Sequence, residues 1–422
     1  MMSNDSATLP GAVDIVVVGA GPAGLMAGIA AAAAGRSVLV LEKMHRPGLK
    51  LLASGGGRCN LTNTQSLEAF LQAFGRTGRF CQGALEALSS DALREWLAQR
   101  GVPTVAEPNG LVFPRSGRAS DVHQALLREL ESSGGRLVLG CQVGRLLVQG
   151  GRIVGVETDQ GSVAAGAVVI ATGGQGYPEL GGTAAGYELA AQAGHSIATP
   201  TPALVALVTQ EAWSRRCAGI GLEQARIWID LPRQSKTGES GPVLFTHHGL
   251  SGPAVLNLSG QVAALLAERP SVPVKLALLG EHPESYWISQ FDLWQRKHGA
   301  KAVTTMLAMR LPERLARQLV QAAGIDPLVP AAHVALPLRQ ALAGLLSASS
   351  LTVTATEGFA QAMLTRGGVN LREVDAKTLA SRKAKGLFLA GEALDVQGPT
   401  GGYNLQWAFS SGYLAGLSAA RM

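Results

Sequence analysis

Hydrophobic and polar positions along the first hundred residues follow a strand, helix, strand order. A β-branched stretch, VDIVVVGAG from Val13, is followed by the alanine-rich PAGLMAGIAAAAAG and then by RSVLVLEK, which ends at Lys43. A short apolar run that ends in glycine is typical of a buried parallel strand, and a longer alanine-rich run is typical of a packed helix. The pattern therefore predicts a βαβ unit.

A second α/β stretch follows, and then the pattern changes. ASDVHQALLRELESSG has helical spacing, residues 136–161 are strand-like, and the buried run AGAVVIATGG ends in glycines. From about Thr199 the chain instead carries short strands separated by prolines, in PTPALVALVTQ, ARIWIDL and GPVLFTHHGLSGPAVL. Because the alternation of strands and helices stops there, we expect an inserted β-rich domain.

Helical spacing returns over residues 283–347, where Pro312 stands at a predicted helix start. Residues 351–375 are strand-like again, and the C-terminal residues return to α/β character. The pattern predicts an α/β domain split between the two ends of the chain. The predicted boundaries are 1–196 and 376–422 for the α/β domain, 197–265 and 348–375 for an inserted β-rich domain, and 266–347 for a helical domain.

Composition excludes several classes of protein. The chain has 422 residues, of which 47% are hydrophobic and 16% charged, so global disorder and a disulfide-stapled small scaffold are ruled out. The formal charge of +6 is spread too thinly to indicate a dedicated nucleic-acid module. The four cysteines form no CxxC pair, so we expect no metal site.

Residues 15–35 carry no charge and are long enough on paper to cross a bilayer. The run is divided by GAGPAG into a short strand and a helix, so we reject a membrane span. The first twelve residues lack the basic region of a signal peptide. We therefore expect a cytoplasmic protein.

The turn at residues 19–24 reads GAGPAG, and Glu42 ends the next predicted strand. Glycines at this spacing permit a tight turn and close approach of the backbone to a pyrophosphate, and the helix N-terminus adds a positive dipole. The acidic side chain at the end of the second strand accepts ribose hydroxyls. These features predict a dinucleotide site; the alternative is a glycine-rich turn without a ligand.

Two further glycine-rich segments are candidates for the same site. Gly55 to Gly57 let backbone amides approach a flat or anionic group, with Arg58 and Asn60 able to reach its polar edge; the alternative is a mobile loop. Near the C-terminus a predicted strand ends at Gly391 and Glu392, a carboxylate able to bind a ribityl hydroxyl, and a helix begins near Gly401 and Gly402. The alternative there is a sheet-edge turn with a helix cap.

Together these motifs resemble the HI0933-like family of NAD(P)/FAD-dependent oxidoreductases, also called BaiN-like or YhiN-like. The resemblance rests on GAGPAG with Glu42, SGGGRCNLTN, ATGG, FTHHGLSGPAVL, RGGV and GLFLAGEALDVQGPTGGYNLQWAFSSG, which extend over nearly the whole chain. Leu49 departs from the family, in which a basic residue is expected, and this departure affects only a phosphate-side contact.

The resemblance implies an α/β fold with a split Rossmann-like FAD-binding domain of the glutathione-reductase type, an inserted β-barrel-like domain and a small helical domain. It also implies that FAD is the cofactor. No second GxGxxG is present, so we expect NAD(P)H to act as a transient reductant that docks at the flavin. The predicted FAD contacts are Gly19, Gly21, Pro22, Ala23, Gly24, Glu42, Lys43, Lys50, Gly56, Gly57, Arg58, Asn60, Val143, Ala171, Thr172, Gly173, Gly391, Glu392, Gly401, Gly402, Asn404 and Leu405.

The reaction implied by the resemblance is reduction of an activated carbon–carbon double bond, which needs a proton donor. Cys59 is one candidate, because an ordinary thiol pKa of about 8.5 suits proton donation, and packing is the alternative role. Thr64 stands five residues further on, so dithiol chemistry is not expected. His247 and His248 are rival donors; on a predicted strand they would point to opposite faces, so at most one would face the flavin.

The substrate is left open between uridine in 23S ribosomal RNA and a small enone, and a third alternative is a non-catalytic FAD-binding redox sensor. Residues 366–385 carry six Lys and Arg against two acids, and the helical segment carries six more Lys and Arg. These are either solvated faces or a surface that guides RNA. The cations are Arg366, Arg372, Lys377, Arg382, Lys383 and Lys385, and then Arg296, Lys297, Lys301, Arg310, Arg314 and Arg317.

Overall fold

A computed structural model describes residues 9–232, 234 and 238–422. The chain divides into two compact units. Unit 1 comprises Met1–Pro200 and Leu364–Met422, and unit 2 comprises Thr201–Met363.

The strands are as follows. They are β1 (Ala12–Val18), β2 (Val38–Glu42), β3 (Thr62–Asn63), β4 (Thr104–Ala106), β5 (Leu111–Pro114), β6 (Arg136–Leu139), β7 (Val143–Gln149), β8 (Arg152–Thr158), β9 (Gly161–Ile170), β10 (Ile197–Ala203), β11 (Leu207–Thr209), β12 (Gly221–Ile229), β13 (Gly238–Phe245), β14 (Gly249–Ser251), β15 (Val272–Ala277), β16 (Ser349–Thr356), β17 (Leu364–Val369) and β18 (Leu387–Leu389).

The helices are as follows. They are α1 (Pro22–Ala33), α2 (Leu49–Ala53), α3 (Leu67–Ala73), α4 (Gly78–Ala87), α5 (Ser90–Gln99), α6 (Ala119–Ser132), α7 (Ala185–Gln192), α8 (Ala212–Arg215), α9 (Pro253–Leu266), α10 (Glu284–His298), α11 (Val303–Leu307), α12 (Glu313–Ala322), α13 (Leu336–Ala348) and α14 (Tyr403–Ala420).

The main sheet of unit 1 has the strand order β6-β2-β1-β9-β8-β7, with β18 also pairing with β9. Strands β6, β2, β1, β9 and β18 are parallel, whereas β7 and β8 are antiparallel additions. Because β9 is ten residues long, its first half pairs with β8 and its second half with β18. The predicted α/β fold, with a Rossmann-type sheet assembled from both ends of the chain, is confirmed.

Helices α1 and α14 pack closely because glycines of α14 face the backbone of α1. A Cβ atom at Gly412 would lie 2.1 Å from the Ala23 carbonyl oxygen, and one at Gly416 would lie 2.2 Å from that of Ala27. Contacts this short require glycine. The C-terminal helix is thereby fixed against the helix that follows the GAGPAG turn.

Unit 2 contains a closed antiparallel barrel in the order β11-β14-β13-β12-β15-β16. Helix α9 contacts the barrel strands, and helices α10 to α13 share an apolar core with the barrel. The predicted β-barrel-like part and helical part are therefore both present. Strand β15 lies within residues 266–347 and belongs to the barrel, so the wholly helical stretch begins later, at Glu284. The three-domain boundaries themselves stay a prediction.

The uncharged run of residues 15–35 is divided between β1, the glycine turn and α1. Within the part of the chain that the structure describes, no helix is both long enough and apolar enough to cross a membrane.

Candidate dinucleotide site at the carboxyl edge of the sheet

Four parallel strands of unit 1 end side by side. Val18 of β1 is paired with Leu41 of β2 and with Ile170 of β9, and Ile170 is paired with Leu389 of β18. The turns that follow these strands therefore meet at one edge, which we call the carboxyl edge. In open parallel sheets, ligands bind outside the carboxyl ends of the strands. The structure brings together GAGPAG, Glu42, ATGG and the Gly391–Glu392 pair, which are far apart in sequence.

The three glycines of GAGPAG have different reasons to be glycine. At Gly19, φ is +101° and a Cβ atom would lie 2.6 Å from the Ala171 carbonyl oxygen. At Gly24, a Cβ atom would lie 1.8 Å from the Gly19 carbonyl oxygen. Gly21 has an ordinary φ of −77°, and a Cβ atom there would have no other atom within 4 Å. Packing explains Gly19 and Gly24, whereas Gly21 leaves open space in front of α1.

The backbone N–H groups at the start of α1 border that space. Among the described residues no side chain caps this helix, and Pro22 occupies its first turn. The Glu42 carboxylate lies beside the turn, where its two oxygens accept the N–H groups of Ala20 at 2.8 Å and Met44 at 2.9 Å. Next to it, burial lowers the pKa of Lys43, and the Glu42 charge opposes that shift.

The SGGG segment forms a short 3₁₀ turn, Ser54–Gly57, with left-handed backbone. The φ angles of Gly55, Gly56 and Gly57 are +58°, +66° and +86°, which glycine adopts without strain. A Cβ atom at Gly55 would lie 3.0 Å from the Asn60 nitrogen, whereas Gly56 has no atom within 4 Å. Gly56 is therefore a second position at which glycine keeps a surface open.

The polar side chains after this turn contact neighbouring parts of unit 1. The Arg58 guanidinium lies 4.0 Å from the centre of the Phe113 ring and pairs with Glu107 at 2.5 Å. The Asn60 amide lies 3.2 Å from both the Thr62 carbonyl oxygen and the Gly402 nitrogen, and bonds both. These contacts hold the loop against the rest of unit 1. The predicted contact of Arg58 and Asn60 with a bound group stays a prediction.

Glu392, at the end of β18, is held by two other segments. One carboxylate oxygen pairs with Lys50 Nζ at 2.8 Å, and the other accepts the Thr365 N–H at 2.7 Å. The loop before α14 is closed by Asn404, whose amide oxygen accepts the Gly398 N–H at 2.8 Å. Lys50 and Glu392, predicted separately from two ends of the chain, thus form one ion pair.

The remaining predicted contacts also belong to unit 1. The Ala171 N–H donates to the Val18 carbonyl at 2.9 Å, and Gly173 has a φ of +74° with open space around it. Val143 begins β7, two residues after Cys141, whose N–H donates to the Glu42 carbonyl at 2.9 Å. Ala23 lies in the first turn of α1, and Leu405 lies in the first turn of α14. Thr172 lies between Ala171 and Gly173, and Gly401 lies beside the Tyr403 ring.

Cys59 is fully buried, with a φ of +62°. Burial raises its pKa to about 12, although a hydrogen bond with Ser54 opposes the shift. This pKa lies above the ordinary thiol value of about 8.5 that the sequence prediction used. At this pKa the thiol is a weak acid, and its role as proton donor stays an untested prediction.

His247 and His248 lie in unit 2, and their predicted strand position is wrong. They form the turn between β13 and β14, where both are exposed to solvent. The Thr246 hydroxyl accepts the N–H groups of His248 and Gly249, at 3.3 and 3.0 Å, and so stabilises the turn. The argument that at most one of them faces the flavin assumed a strand and therefore no longer applies.

Sequence reasoning missed the loop of residues 174–183, GQGYPELGGT. A Cβ atom at Gly174 would lie 2.4 Å from Glu392 Oε1, and one at Gly181 would lie 3.3 Å from Met44 Cγ. The Gln175 N–H donates to the Thr365 hydroxyl at 2.8 Å. The loop therefore runs between the ends of β18 and β2 along the carboxyl edge. Its four glycines and Pro178 were the signal that could have revealed it.

The sheet and the open glycine turns define a Rossmann-type FAD-dependent oxidoreductase. The family model described as the HI0933-like protein Rossmann domain matches residues 13–418, so the chain belongs to the HI0933-like family. Over the described residues, no group of three or more His, Cys, Asp or Glu side chains is placed to hold a metal ion.

Two relatives are similar over nearly their whole length. The chain is 33% identical to a 3-dehydro-bile acid delta(4,6)-reductase of Clostridium scindens, covering 96% of this chain and 98% of that protein. It is 31% identical to a ribosomal RNA dihydrouridine synthase of Escherichia coli, covering 95% of this chain and 96% of that protein. The solved structure of a 3-ketosteroid delta1-dehydrogenase of Sterolibacterium denitrificans aligns with 98% of this chain and with 100% of its own chain. The sequence identity is 13% and the TM-score is 0.54, so the similarity is one of fold.

The residues at the carboxyl edge fit FAD. Gly21 and Gly56 leave space that a Cβ atom would fill, and the first turn of α1 presents backbone amides toward an anion such as pyrophosphate. Glu42 ends β2 and Glu392 follows β18, and both strands end at this edge of the sheet. An uncapped helix start and two carboxylates at one sheet edge suit a dinucleotide that carries a pyrophosphate and two polyol segments.

Proposed function

We propose that this protein reduces a carbon–carbon double bond conjugated to a carbonyl group, with uridine in 23S ribosomal RNA as the substrate and NADH or NADPH as the electron source. The observation that carries the proposal is an open dinucleotide site in a chain similar over its whole length to two reductases. The names of these two relatives, a delta(4,6)-reductase and a dihydrouridine synthase, both describe reduction of a carbon–carbon double bond. A 3-oxo-Δ4 system and the uracil ring both present a double bond next to a carbonyl group.

FAD, when bound, supplies the two electrons and the hydride of the reduction. In our proposal the first turn of α1 and Gly21 hold its pyrophosphate, and Glu42 holds the adenosine ribose. Glu392, positioned by Lys50 and by the Thr365 N–H, binds the ribityl chain. The N-terminal turn of α14 favours negative charge near the flavin ring. The work of these residues is to bind and orient the cofactor.

Surface charge favours RNA over a small enone. All six cations of residues 366–385 are exposed. Glu373 pairs with Lys383 and Asp375 with Arg382. The remaining four cations form no ion pair within the described part of the chain. They are Arg366, Arg372, Lys377 and Lys385.

The helical segment is a weaker candidate for an RNA surface. Its six cations over residues 281–326 are accompanied by five acids, and Arg317 pairs with Glu313. Arg310 donates to the Tyr286 hydroxyl at 2.9 Å. A face whose charges are largely compensated attracts phosphates weakly.

Mass spectrometry of ribosomal RNA nucleosides tests the substrate. We expect loss of one dihydrouridine from 23S ribosomal RNA when the gene is deleted, and its recovery when the gene is restored. Unchanged dihydrouridine would contradict the RNA substrate. The small enone is then tested with a 3-oxo-Δ4,6 bile acid, and the identity to the bile acid reductase is the observation that favours it.

Anaerobic reduction separates an enzyme from a redox sensor. We expect NADH or NADPH to bleach the bound flavin, and the substrate to restore its colour. A flavin that is reduced but is reoxidised only by oxygen would instead indicate the sensor.

A further inference from the structure

Two exposed cations of unit 1 lie side by side on neighbouring chain segments. Arg152 begins β8, and Lys385 lies just before β18. The Lys385 N–H donates to the Gly151 carbonyl at 2.9 Å, and the Lys385 carbonyl accepts the Ile153 N–H at 2.8 Å. Arg152 and Lys385 are therefore partners in a parallel β-bridge. Because paired strands lie about 4.8 Å apart and partners in register share a face, the two positive charges are held close together.

Like charges opposed on neighbouring strands destabilise a sheet, whereas opposite charges stabilise it. The hairpin of β7 and β8 also shows the favourable arrangement, because Arg145 is opposite Glu157 and pairs with it at 2.9 Å. The β7 partner of Arg152 is the uncharged Gln149. Arg152 and Lys385 form no ion pair or side-chain hydrogen bond with any residue that the structure describes. The fold by itself leaves this pair of charges uncompensated.

The neighbouring cations, in contrast, are compensated by acids. Lys383 pairs with Glu373 at 3.3 Å, and Arg382 pairs with Asp375 at 3.3 Å. The two segments that carry the uncompensated pair, residues 143–156 and 376–391, contain no acidic residue in the sequence. Since no described acid contacts the pair either, its counter-charge must come from a bound partner or from ions in solution.

A large partner can approach the pair without obstruction. The turn before Arg152 is Gly150 and Gly151, which are both exposed, and a Cβ atom at either would have no other atom within 4 Å. The planar fork of an arginine matches phosphate oxygens, and a lysine adds a point charge on a flexible stem. Two such side chains on adjacent strands can reach a single phosphate group.

We propose that Arg152 and Lys385 together bind one backbone phosphate of the RNA substrate. This inference rests on the proposed function and adds to it a defined anchoring point, because Arg152 lies outside the cation-rich residues 366–385. Binding would neutralise the two opposed charges and release the counterions condensed on the phosphate.

A polyanion fits this surface better than a free phosphate. Two exposed cations hold a single small anion weakly, because water screens the attraction. A nucleic acid carries further phosphates at regular spacing, and Arg372 and Lys377 on the same C-terminal segment are also exposed and without an ion pair. Each additional contact strengthens the attachment of the whole chain.

The test measures binding of the full chain, loaded with FAD, to a 23S ribosomal RNA transcript at several salt concentrations. R152Q, K385Q and the double variant should each weaken binding about 3- to 10-fold at physiological salt. The double variant should lose little more than either single variant, because both side chains bind the same phosphate. Its salt slope should fall by about 1, the value for one phosphate.

Arg145→Gln is the matched control. It removes the same charge from the same hairpin, but Arg145 already pairs with Glu157. Its replacement should change RNA affinity less than about twofold. If the double variant loses no more affinity than R145Q, the pair does not bind RNA. A fall of about 2 in the salt slope of the double variant would mean two separate phosphate contacts and would also overturn the shared site.

These failures are distinguishable from failure of the proposed function. Either result would leave RNA as the substrate, which the dihydrouridine measurement tests independently. Wild-type protein that binds no transcript would instead reject both the RNA substrate and this inference. Inorganic phosphate is the probe for a free-anion site: if it raises the wild-type unfolding temperature as much as the transcript does, the RNA assignment is overturned.

A further readout needs neither RNA nor turnover. Arg152→Glu places a carboxylate beside Lys385, as Glu157 lies beside Arg145. At low salt the FAD-free variant should therefore unfold at the wild-type temperature or above it. It should also bind the transcript more weakly than R152Q, because its carboxylate repels phosphate. A lower unfolding temperature would show that the Arg152 side chain stabilises the fold, and would overturn the inference that its charge is kept for a partner.

Discussion

The two edges of the unit 1 sheet use their polar groups in opposite ways. At the carboxyl edge, Gly21, Gly56 and Gly173 face open space, and the first amides of α1 have no side-chain cap among the described residues. At the other end of β18, which we call the amino edge, a cluster of polar side chains is closed upon itself. The comparison separates a surface kept open for a ligand from one that only holds the fold.

The amino-edge cluster is centred on His195, which is buried. Its Nε2 atom lies 2.7 Å from the Ser381 hydroxyl, and its Nδ1 atom lies 3.4 Å from Glu373. Glu373 also accepts the Ser196 N–H at 2.8 Å and pairs with Lys383 at 3.3 Å. The Glu373 carboxylate and the Ser381 hydroxyl are thus engaged within the cluster, whereas the buried His195 Nδ1 atom has no hydrogen-bond partner. Such contacts stabilise the fold without leaving a place for a ligand.

Gly24→Ala should have the largest effect, because it breaks the carboxyl edge itself. Its Cβ atom would lie 1.8 Å from the Gly19 carbonyl oxygen, so the turn and α1 must separate. We expect a loss of about 3 kcal/mol or more in the free energy of unfolding, together with loss of FAD. Urea unfolding and the flavin absorbance of the purified protein measure the two effects. A stable, yellow variant would contradict the packing role of Gly24.

Gly21→Val, three residues earlier, should remove FAD and leave the fold intact. The backbone at Gly21 suits any residue, and the new side chain points into the space assigned to pyrophosphate. We expect FAD affinity to fall about 100-fold or more, with the stability of the FAD-free protein unchanged within about 0.5 kcal/mol. Fluorescence titration with FAD measures the affinity.

Gly344→Val is the matched control for Gly21→Val. Gly344 lies on α13 of unit 2 and also has no atom within 4 Å of its Cβ position. Its replacement should leave FAD binding unchanged. If Gly21→Val protein binds FAD as the control does, the pyrophosphate is not where we place it.

The exposed cations near the amino edge should affect RNA and not FAD. Lys385 precedes β18 and Glu392 follows it, a separation of about 20 Å along extended chain. Replacing Arg372, Lys377 and Lys385 by Gln should lower the salt slope of RNA binding by about 2 to 3, and affinity up to about 100-fold at 0.15 M salt. Filter binding of a 23S ribosomal RNA transcript at several salt concentrations measures both.

Three exposed arginines that already pair with acids provide the control for those cations. They are Arg118, Arg145 and Arg317, paired with Asp121, Glu157 and Glu313. Their replacement by Gln should change RNA affinity much less. Equal effects of the two triple variants would mean that net charge, rather than a defined surface, governs RNA binding.

Glu42→Ala should weaken FAD binding about tenfold, a smaller effect than that of Gly21→Val, because it removes one polar contact. Glu42→Gln is the matched variant, since an amide oxygen still accepts the Ala20 N–H. We expect the Gln variant to bind FAD more tightly than the Ala variant. Titration with FAD and with riboflavin separates the contacts. Equal losses for both ligands would show that Glu42 does not bind the adenosine ribose, which riboflavin lacks.

Most of the carboxyl edge could be predicted from the sequence because its signals are local. Glycines, a proline and an acidic residue at fixed spacing mark the turns after β1 and β2. Such signals do not reveal side chains that meet across long sequence separations. His195 and Ser381 are 186 residues apart, and neither stands in a motif. The ion pair of Lys50 with Glu392 could likewise not be predicted, although each residue was predicted to contact FAD.

The wrong strand position of His247 and His248 has a specific physical cause. Two-residue hairpin turns are recognised in sequence by Asn-Gly or similar pairs that accept positive φ. Here neither histidine has a positive φ, and the Thr246 hydroxyl stabilises the turn by accepting backbone N–H groups. The exposure of this turn and the full burial of Cys59 depend on tertiary packing, which the local pattern does not contain.

The smallest effect that we predict is a pH dependence at the amino edge. Burial lowers the pKa of His195 below its ordinary 6.5; the Glu373 charge raises it, and the Lys383 charge lowers it further. The unfolded chain therefore binds a proton at higher pH than the folded one. Stability from neutral His195 is complete above about pH 6.5 and is lost as pH falls toward the lowered pKa. Urea unfolding between pH 7 and pH 5 should show this decline.

Two variants should change that decline in opposite directions. Lys383→Gln removes a charge that lowers the His195 pKa, so the acid-induced loss of stability should become smaller. Glu373→Gln removes the charge that raises it, so the loss should become larger over the same range. The pKa of Glu373 is itself below its ordinary value, so its own titration lies under this pH range. If both variants change the decline in the same direction, the histidine is not the group that titrates. The amino edge would then owe its stability to packing rather than to the closed polar cluster.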